Sequence, residues 1–190
     1  MCPKGKIMLC IILYLLLIGA VAVTLVKILL FNPPNLKVTV TNASLAQFNL
    51  RNNNDTLFYN IALTITTRNL NHPANKDVLY SRIEAIAKYR TESFAKWTLS
   101  SPPFKQHRKS TTILQYPAIQ GQQPVRFSKS ELSQFNRESV IGVYSIEVVV
   151  LMQIKGNTKS YNCEWICTLK IRMGSIQTPF EATQCFRTKY

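Results

Sequence analysis

The hydrophobic pattern changes once along this chain, near residue 32. Before it, Ile7 to Val26 are twenty consecutive uncharged and almost wholly aliphatic positions, IMLCIILYLLLIGAVAVTLV. A helix of about 20 apolar residues rises roughly 30 Å, the thickness of a bilayer's hydrocarbon core. It also satisfies its own backbone where no water can. The run continues past Lys27 through Ile28, Leu29, Leu30 and Phe31, and stops at Asn32-Pro33-Pro34. The pattern predicts a transmembrane helix over 7–31, with Lys27 near the far interface, where its stem can snorkel outward. A cleaved signal peptide is the competing reading, with Lys4 and Lys6 as the positive flank and Ala20-Val21-Ala22 as the cleavage site. The apolar run beyond Ala22 favours a retained signal-anchor.

From Leu36 onward the period is two. Leu36, Val38 and Val40 alternate with Lys37, Thr39 and Thr41, and Ile61, Leu63 and Ile65 with Ala62, Thr64 and Thr66. Ile83, Ala85, Ala87 and Tyr89 repeat the pattern, as do Tyr144, Ile146, Val148, Val150 and Met152, and then Cys167, Leu169, Ile171 and Met173. Such alternation marks strands with one face on a core and one in solvent. Turn residues separate the runs: Asn52 to Asp55, Asn69 to Asn75, Ser101-Pro102-Pro103, Gln120-Gly121-Gln122, and Lys155-Gly156-Asn157-Thr158, which reads as a tight hairpin. Ser128-Lys129-Ser130-Glu131 fits a capping box and predicts a helical turn at Ser128 to Arg137, with Leu132 and Phe135 on one face. The expected fold is all-β: about seven strands in an antiparallel sandwich of immunoglobulin or fibronectin type III kind, preceded by one transmembrane helix. The implied division is a tail at 1–6, the helix at 7–31 and one domain at 32–190.

Flanking charge nearly ties on orientation, with Lys4 and Lys6 against Lys27 and Lys37. Two glycosylation sequons, at Asn42 and Asn54, and three cysteines lie on the C-terminal side. These favour a cytosolic N-terminus and a glycoprotein domain outside. Cys2 is a juxtamembrane position of the kind that is palmitoylated, but a small apolar residue without a role is the preferred reading. Cys163 and Cys167 are four apart and share a face of an extended strand, so roughly 13 Å separates them and they cannot bridge each other. Cys185 can pair with either. The preferred pairing is Cys167 with Cys185, closing a loop of about 20 residues.

Charge narrows the partners. Net charge is +14, and all but three of the 23 Lys and Arg, with all 9 Asp and Glu, follow residue 35. One dense cluster stands out, Lys105, His107, Arg108 and Lys109, with Lys96 nearby in sequence. A solvated surface accounts for scattered charge of this kind; the functional alternative is an anionic partner, either lipid headgroups or an acidic polysaccharide. Nucleic acid fits the charge, but no recognition motif accompanies it. The chemistry of catalysis is sparse. The two histidines, His72 and His107, sit in loops beside proline or basic residues. No metal, nucleophile or phosphate signature occurs, so neither an enzyme nor a cofactor is expected.

The blocks NIALTITTRNLN, YSRIEAIAKYR, LSSPPFKQHRKSTTIL and CTLKI, following an N-terminal anchor, together resemble the plant family of non-race-specific disease-resistance and harpin-induced-like proteins. These carry a late-embryogenesis-abundant type-2 domain. The family's Asn-Pro-Asn turn stands here as Asn69-Leu70-Asn71, and its Phe-Tyr-Gln-Gly-His segment as Phe104-Lys105-Gln106-His107. The resemblance implies a β-sandwich, a plasma-membrane or plasmodesmal location, a part in plant defence and no catalysis. The expected mode of action is contact, of a basic outer face with membrane lipids, acidic cell-wall polysaccharide, other membrane proteins or a second copy. The rival expectation is a carrier holding a small apolar ligand between the sheets, lined by Phe58, Ile86 and Phe127.

Overall fold

The computed structural model describes residues 4–31, 34–51, 55–71, 77–99, 103–155, 160–174 and 180–188. Helix α1 (Lys4–Phe31) is unbroken through Ala20-Val21-Ala22, and its span Ile7–Val26 is 0% buried. Among the described residues ten strands and a second helix follow: β1 (Leu36–Arg51), β2 (Thr56–Asn69), β3 (Val78–Tyr89), β4 (Glu92–Leu99), β5 (Phe104–Gln106), β6 (Thr111–Pro124), α2 (Lys129–Ile141), β7 (Val143–Lys155), β8 (Ser160–Arg172), β9 (Thr183–Gln184) and β10 (Phe186–Arg187). They form two antiparallel sheets, ordered β6-β2-β1-β9 and β10-β8-β7-β3-β4, with β5 also on β3. The sheets pack as a β-sandwich, as the alternation predicts. Three of the ten strands are only two or three residues long, too short for an alternation pattern to reveal.

Over the long strands one face stays on the core because bulges reset the alternation. In β1 the register shifts between Val40 and Asn42 and again between Leu45 and Gln47. Each extra residue flips the parity, so Val38 and Val40, then Ala43 and Leu45, then Phe48 all face inward and are buried. A third shift, between Tyr80 and Arg82 of β3, brings Val78 and Tyr80, then Ile83, Ala85, Ala87 and Tyr89 to the same core. Phe48 anchors the far half of that core, with Tyr89, Phe94, Phe135 and Tyr144 at ring separations of 4.9–5.7 Å.

Helix α2 is longer than the single turn expected. Ser128 and Glu131 do form the capping box, but the helix runs on to Ile141 and ends at Gly142, whose φ of 72° supplies the left-handed C-cap. Beyond Phe135 the apolar side chains Val140 and Ile141 are exposed and the inward position is the charged Glu138, so the pattern does not reveal the extension; Glu138 is buried against Tyr89 and Arg90. At the C-terminus the chain laces the sheets together. β9 pairs with β1, β10 pairs with β8, and between them Cys185 is disulfide-bonded to Cys167. Cys163 is buried and free. The expected hairpin turn at 156–159 lies outside the described residues, though Lys155 pairs with Ser160 on either side of it. Met173 forms only an isolated bridge to Leu45 and is 39% exposed, so it leaves the core face that Cys167, Leu169 and Ile171 share.

Strand direction gives the sandwich two distinct ends. β1 starts and β2 finishes beside the chain's exit from α1, whereas α2 sits at the opposite end. Phe31 and Asn35 are four residues apart, so the first end lies within about 14 Å of the helix terminus by covalent reach alone. This is the tether end.

Candidate contact surface at the tether end

A buried polar network builds this end from the Asn69-Leu70-Asn71 turn. The Asn69 side-chain oxygen accepts from Asn71 N at 3.0 Å, an Asx turn. The Asn71 side-chain oxygen accepts from Asn35 N at 2.7 Å, and Asn35 O accepts from Leu70 N at 2.9 Å. The two asparagines therefore clamp the segment that leaves α1. Gln106 extends the network: its Nε2 donates to Thr67 O at 2.8 Å and to Ser110 O at 3.1 Å, and its Oε1 accepts from Tyr80 OH at 2.7 Å. Burial pushes the Tyr80 hydroxyl up to about 12, against the opposing hydrogen bond with Thr67. Of the turn and the segment that depart from the family pattern, the buried members Asn69, Asn71 and Gln106 carry the network. Leu70, in the proline's place, is 43% exposed.

The basic loop hangs on this network. Lys109 takes a left-handed φ of 57°, and its N–H donates to Asn69 O at 2.9 Å. Asp77 gathers the rest: Lys105 Nζ lies 2.9 Å and His107 Nδ1 3.2 Å from Asp77 Oδ2, while Arg108 N donates to Oδ1 at 3.3 Å. The Lys105 hydrogen bond first, then the Arg108 amide and nearby positive charge, hold the Asp77 carboxyl below the usual carboxylate range. Lys105, His107, Arg108 and Lys109 thus stand together, exposed and preshaped.

Lys96 does not join them. It sits on β4 opposite Ile86, whereas Lys105 sits opposite Leu79, seven residues away on β3. That is roughly 23 Å along the strand. Lys96 instead contacts Glu84 at 3.0 Å, which Arg82 also reaches at 2.6 Å. In its place, strand pairing supplies cations that are remote in sequence. Lys37 faces Arg68 across β1 and β2, and Lys155 ends β7 opposite Leu79; all three are exposed. Of the nine carboxylate residues, all of them described, Asp77 is the one at this end. Sequence proximity had no means of finding Lys37, Arg68, Lys155 or Asp77, because antiparallel pairing, not spacing, brings them to the loop.

Other expected sites fall elsewhere. Asn42 is exposed at the first bulge of β1, and Asn54 and His72 lie outside the described residues. The three residues expected to line an apolar cavity do not meet: Phe58 and Ile86 point from the outer faces of opposite sheets, and Phe127 packs on Tyr89 and Phe135. Between the sheets, fully buried Trp165, Tyr80, Tyr89, Tyr144 and Phe48 fill the space instead. A groove of about 370 Å³ opens on the outer face of the larger sheet, lined by residues that include Arg82, Glu84, Leu151, Gln153 and Glu164. Its Glu84 carboxyl is held low by Lys96 and Arg82, so it is a poor proton donor and the groove is a charge-paired surface. Among the described residues no three His, Cys, Asp or Glu side chains converge to hold a metal.

The chain thus joins one apolar helix to a clamped, filled β-sandwich with a positive rim. No protein-family profile matches the chain. It is 37% identical to NDR1/HIN1-like protein 10 of Arabidopsis thaliana over 145 residues, 76% of this chain and 61% of that protein. It is 31% identical to NDR1/HIN1-like protein 3 of the same plant over 165 residues, 83% of this chain and 69% of that one. The chain belongs to the NDR1/HIN1-like family. Neither relative's name is that of an enzyme. The chain spans about three fifths of the first relative's length. A protein from Archaeoglobus fulgidus resembles it only at a TM-score of 0.37 and 12% identity, over 72% of this chain and 99% of that one, a likeness too slight to carry an argument.

Proposed function

We propose that this chain is a plasma-membrane protein of plant defence or stress response, held by α1 with its N-terminus in the cytosol and its sandwich outside, and that it acts by contact rather than catalysis. The carrying observation is the joining of an unburied apolar helix to a sandwich whose tether end presents an ordered cationic loop. Family membership supports the biological setting. The uninterrupted helix from Lys4 to Phe31 supports a retained anchor. The partner class is polyanionic: headgroups, acidic wall polymers or acidic faces of other membrane proteins.

Retention of the full chain, solubilised in neutral detergent, on an acidic polysaccharide column tests the mode of action. Lys105→Glu, Arg108→Glu and Lys109→Glu together should lower the salt needed for elution, because exposed charge is screened over about 10 Å at 0.1 M. Equal elution of the variant removes the loop as the contact. Protease added outside intact cells should degrade the sandwich; protection there removes the outward topology.

A further inference from the structure

The loop's position assigns it a more specific partner than charge alone does. We infer that the tether end is a headgroup-docking platform: Arg68, Lys105, Arg108 and Lys109 lie against anionic lipid of the leaflet that α1 enters, with Leu70 directed at the interface. This rests on the membrane-anchored reading above and deepens it.

Three observations converge on a bilayer. The first is reach. Asn71 and Leu70 bind Asn35, four residues beyond the last residue of α1, so this end lies next to the membrane whichever side the domain occupies. The second is polarity along the long axis. Lys37, Arg68, Lys105, Arg108, Lys109 and Lys155 gather at the tether end, where Asp77 supplies the one acidic side chain among the described residues. The far end mixes signs, with Glu92, Glu131 and Glu138 beside Arg90, Lys129 and Arg137. The third is preorganisation. Gln106, Asn69 and Ser110 fix the loop backbone in the folded protein, so little ordering remains to oppose contact. The exposed Leu70 lies between the tether and this loop, where an apolar side chain gains by entering the interface. Each Lys or Arg at an anionic membrane surface favours apposition by roughly fivefold.

Hydrogen exchange on the full chain in nanodiscs tests this. Discs of phosphatidylcholine alone are compared with discs containing about one third phosphatidylglycerol. Co-elution with the discs reports anchoring, and exchange of amides 107–110 reports docking. We expect these amides to slow on the order of fivefold or more in the anionic discs, with the difference erased by high salt. The variant Arg68→Glu, Arg108→Glu, Lys109→Glu should lose the slowing while amides 148–152 of β7 keep wild-type protection, which shows that it has folded. Equal exchange in both disc types overturns the platform and leaves the anchor standing. Failure to co-elute overturns the anchor, and the platform with it. Slowing by added polygalacturonate but not by anionic discs also overturns the platform and gives the loop to a wall polymer.

Discussion

Glu138 shows how a charge is kept inside this sandwich. Its carboxylate accepts from Tyr89 OH at 3.0 Å and from Arg90, Gln134 and the Ser145 amide at 3.2 Å each. Removing it strands those donors, so Glu138→Ala should cost about 3 kcal/mol in denaturant unfolding of the detergent-solubilised chain. The opposite case is Tyr116, whose buried hydroxyl has no partner among the described residues and whose ionisation burial pushes upward. Tyr116→Phe should be neutral or stabilising by up to about 1 kcal/mol, read as an unchanged or raised melting temperature. Glu131 adds a pH dependence. Hydrogen bonds from the Ser128 amide and hydroxyl, and from Thr91, lower its pKa to about 2. A carboxyl depressed on folding stabilises above its unfolded pKa and loses that contribution as pH falls through the folded one. Stability should therefore decline between about pH 4.5 and pH 2, and Glu131→Gln should flatten that limb of a melting-temperature profile.

Among the elements, the C-terminal lace depends most on a single bond. Segment 183–188 touches both sheets through two two-residue pairings and a few hydrogen bonds of Arg187 and Thr188. The Cys167–Cys185 link, 18 residues apart, holds it there. Cys185→Ser should cost about 3 kcal/mol by loop-closure entropy and raise exchange at 183–188 before the rest of the fold responds. Buried Cys163, whose thiol burial pushes up despite nearby Arg187, should resist alkylation until the lace is released. The long strands are legible in sequence because every second residue of Ile61–Ile65, Ile83–Tyr89 and Tyr144–Met152 enters one core. The alternation of β1 is legible only to Val40, because the bulge at Asn42 inverts the parity of the later positions. β5, β9 and β10 have no intrinsic signal; neighbouring strands impose them.

For the whole molecule, glycosylation tests the topology. Asn42 is exposed, so the chain made in a secretory system should migrate with a glycosidase-sensitive shift that Asn42→Gln reduces. The sequence alone determined the apolar helix, the two-faced strands and the family, because each is written in local periodicity or in the order of short blocks. It also located the loop from Lys105 to Lys109. It misjudged Lys96 as that loop's neighbour and Phe58, Ile86 and Phe127 as one lining, because contiguity and apolarity say nothing about which face or which end a side chain reaches. Only tertiary structure decided that Asn69, Asn71 and Gln106 form one clamp, that Lys37, Arg68 and Lys155 crowd beside the loop, and that this charge sits at the foot of the helix. Antiparallel pairing folds distant residues to a common end, and no property of the linear chain specifies which end that is.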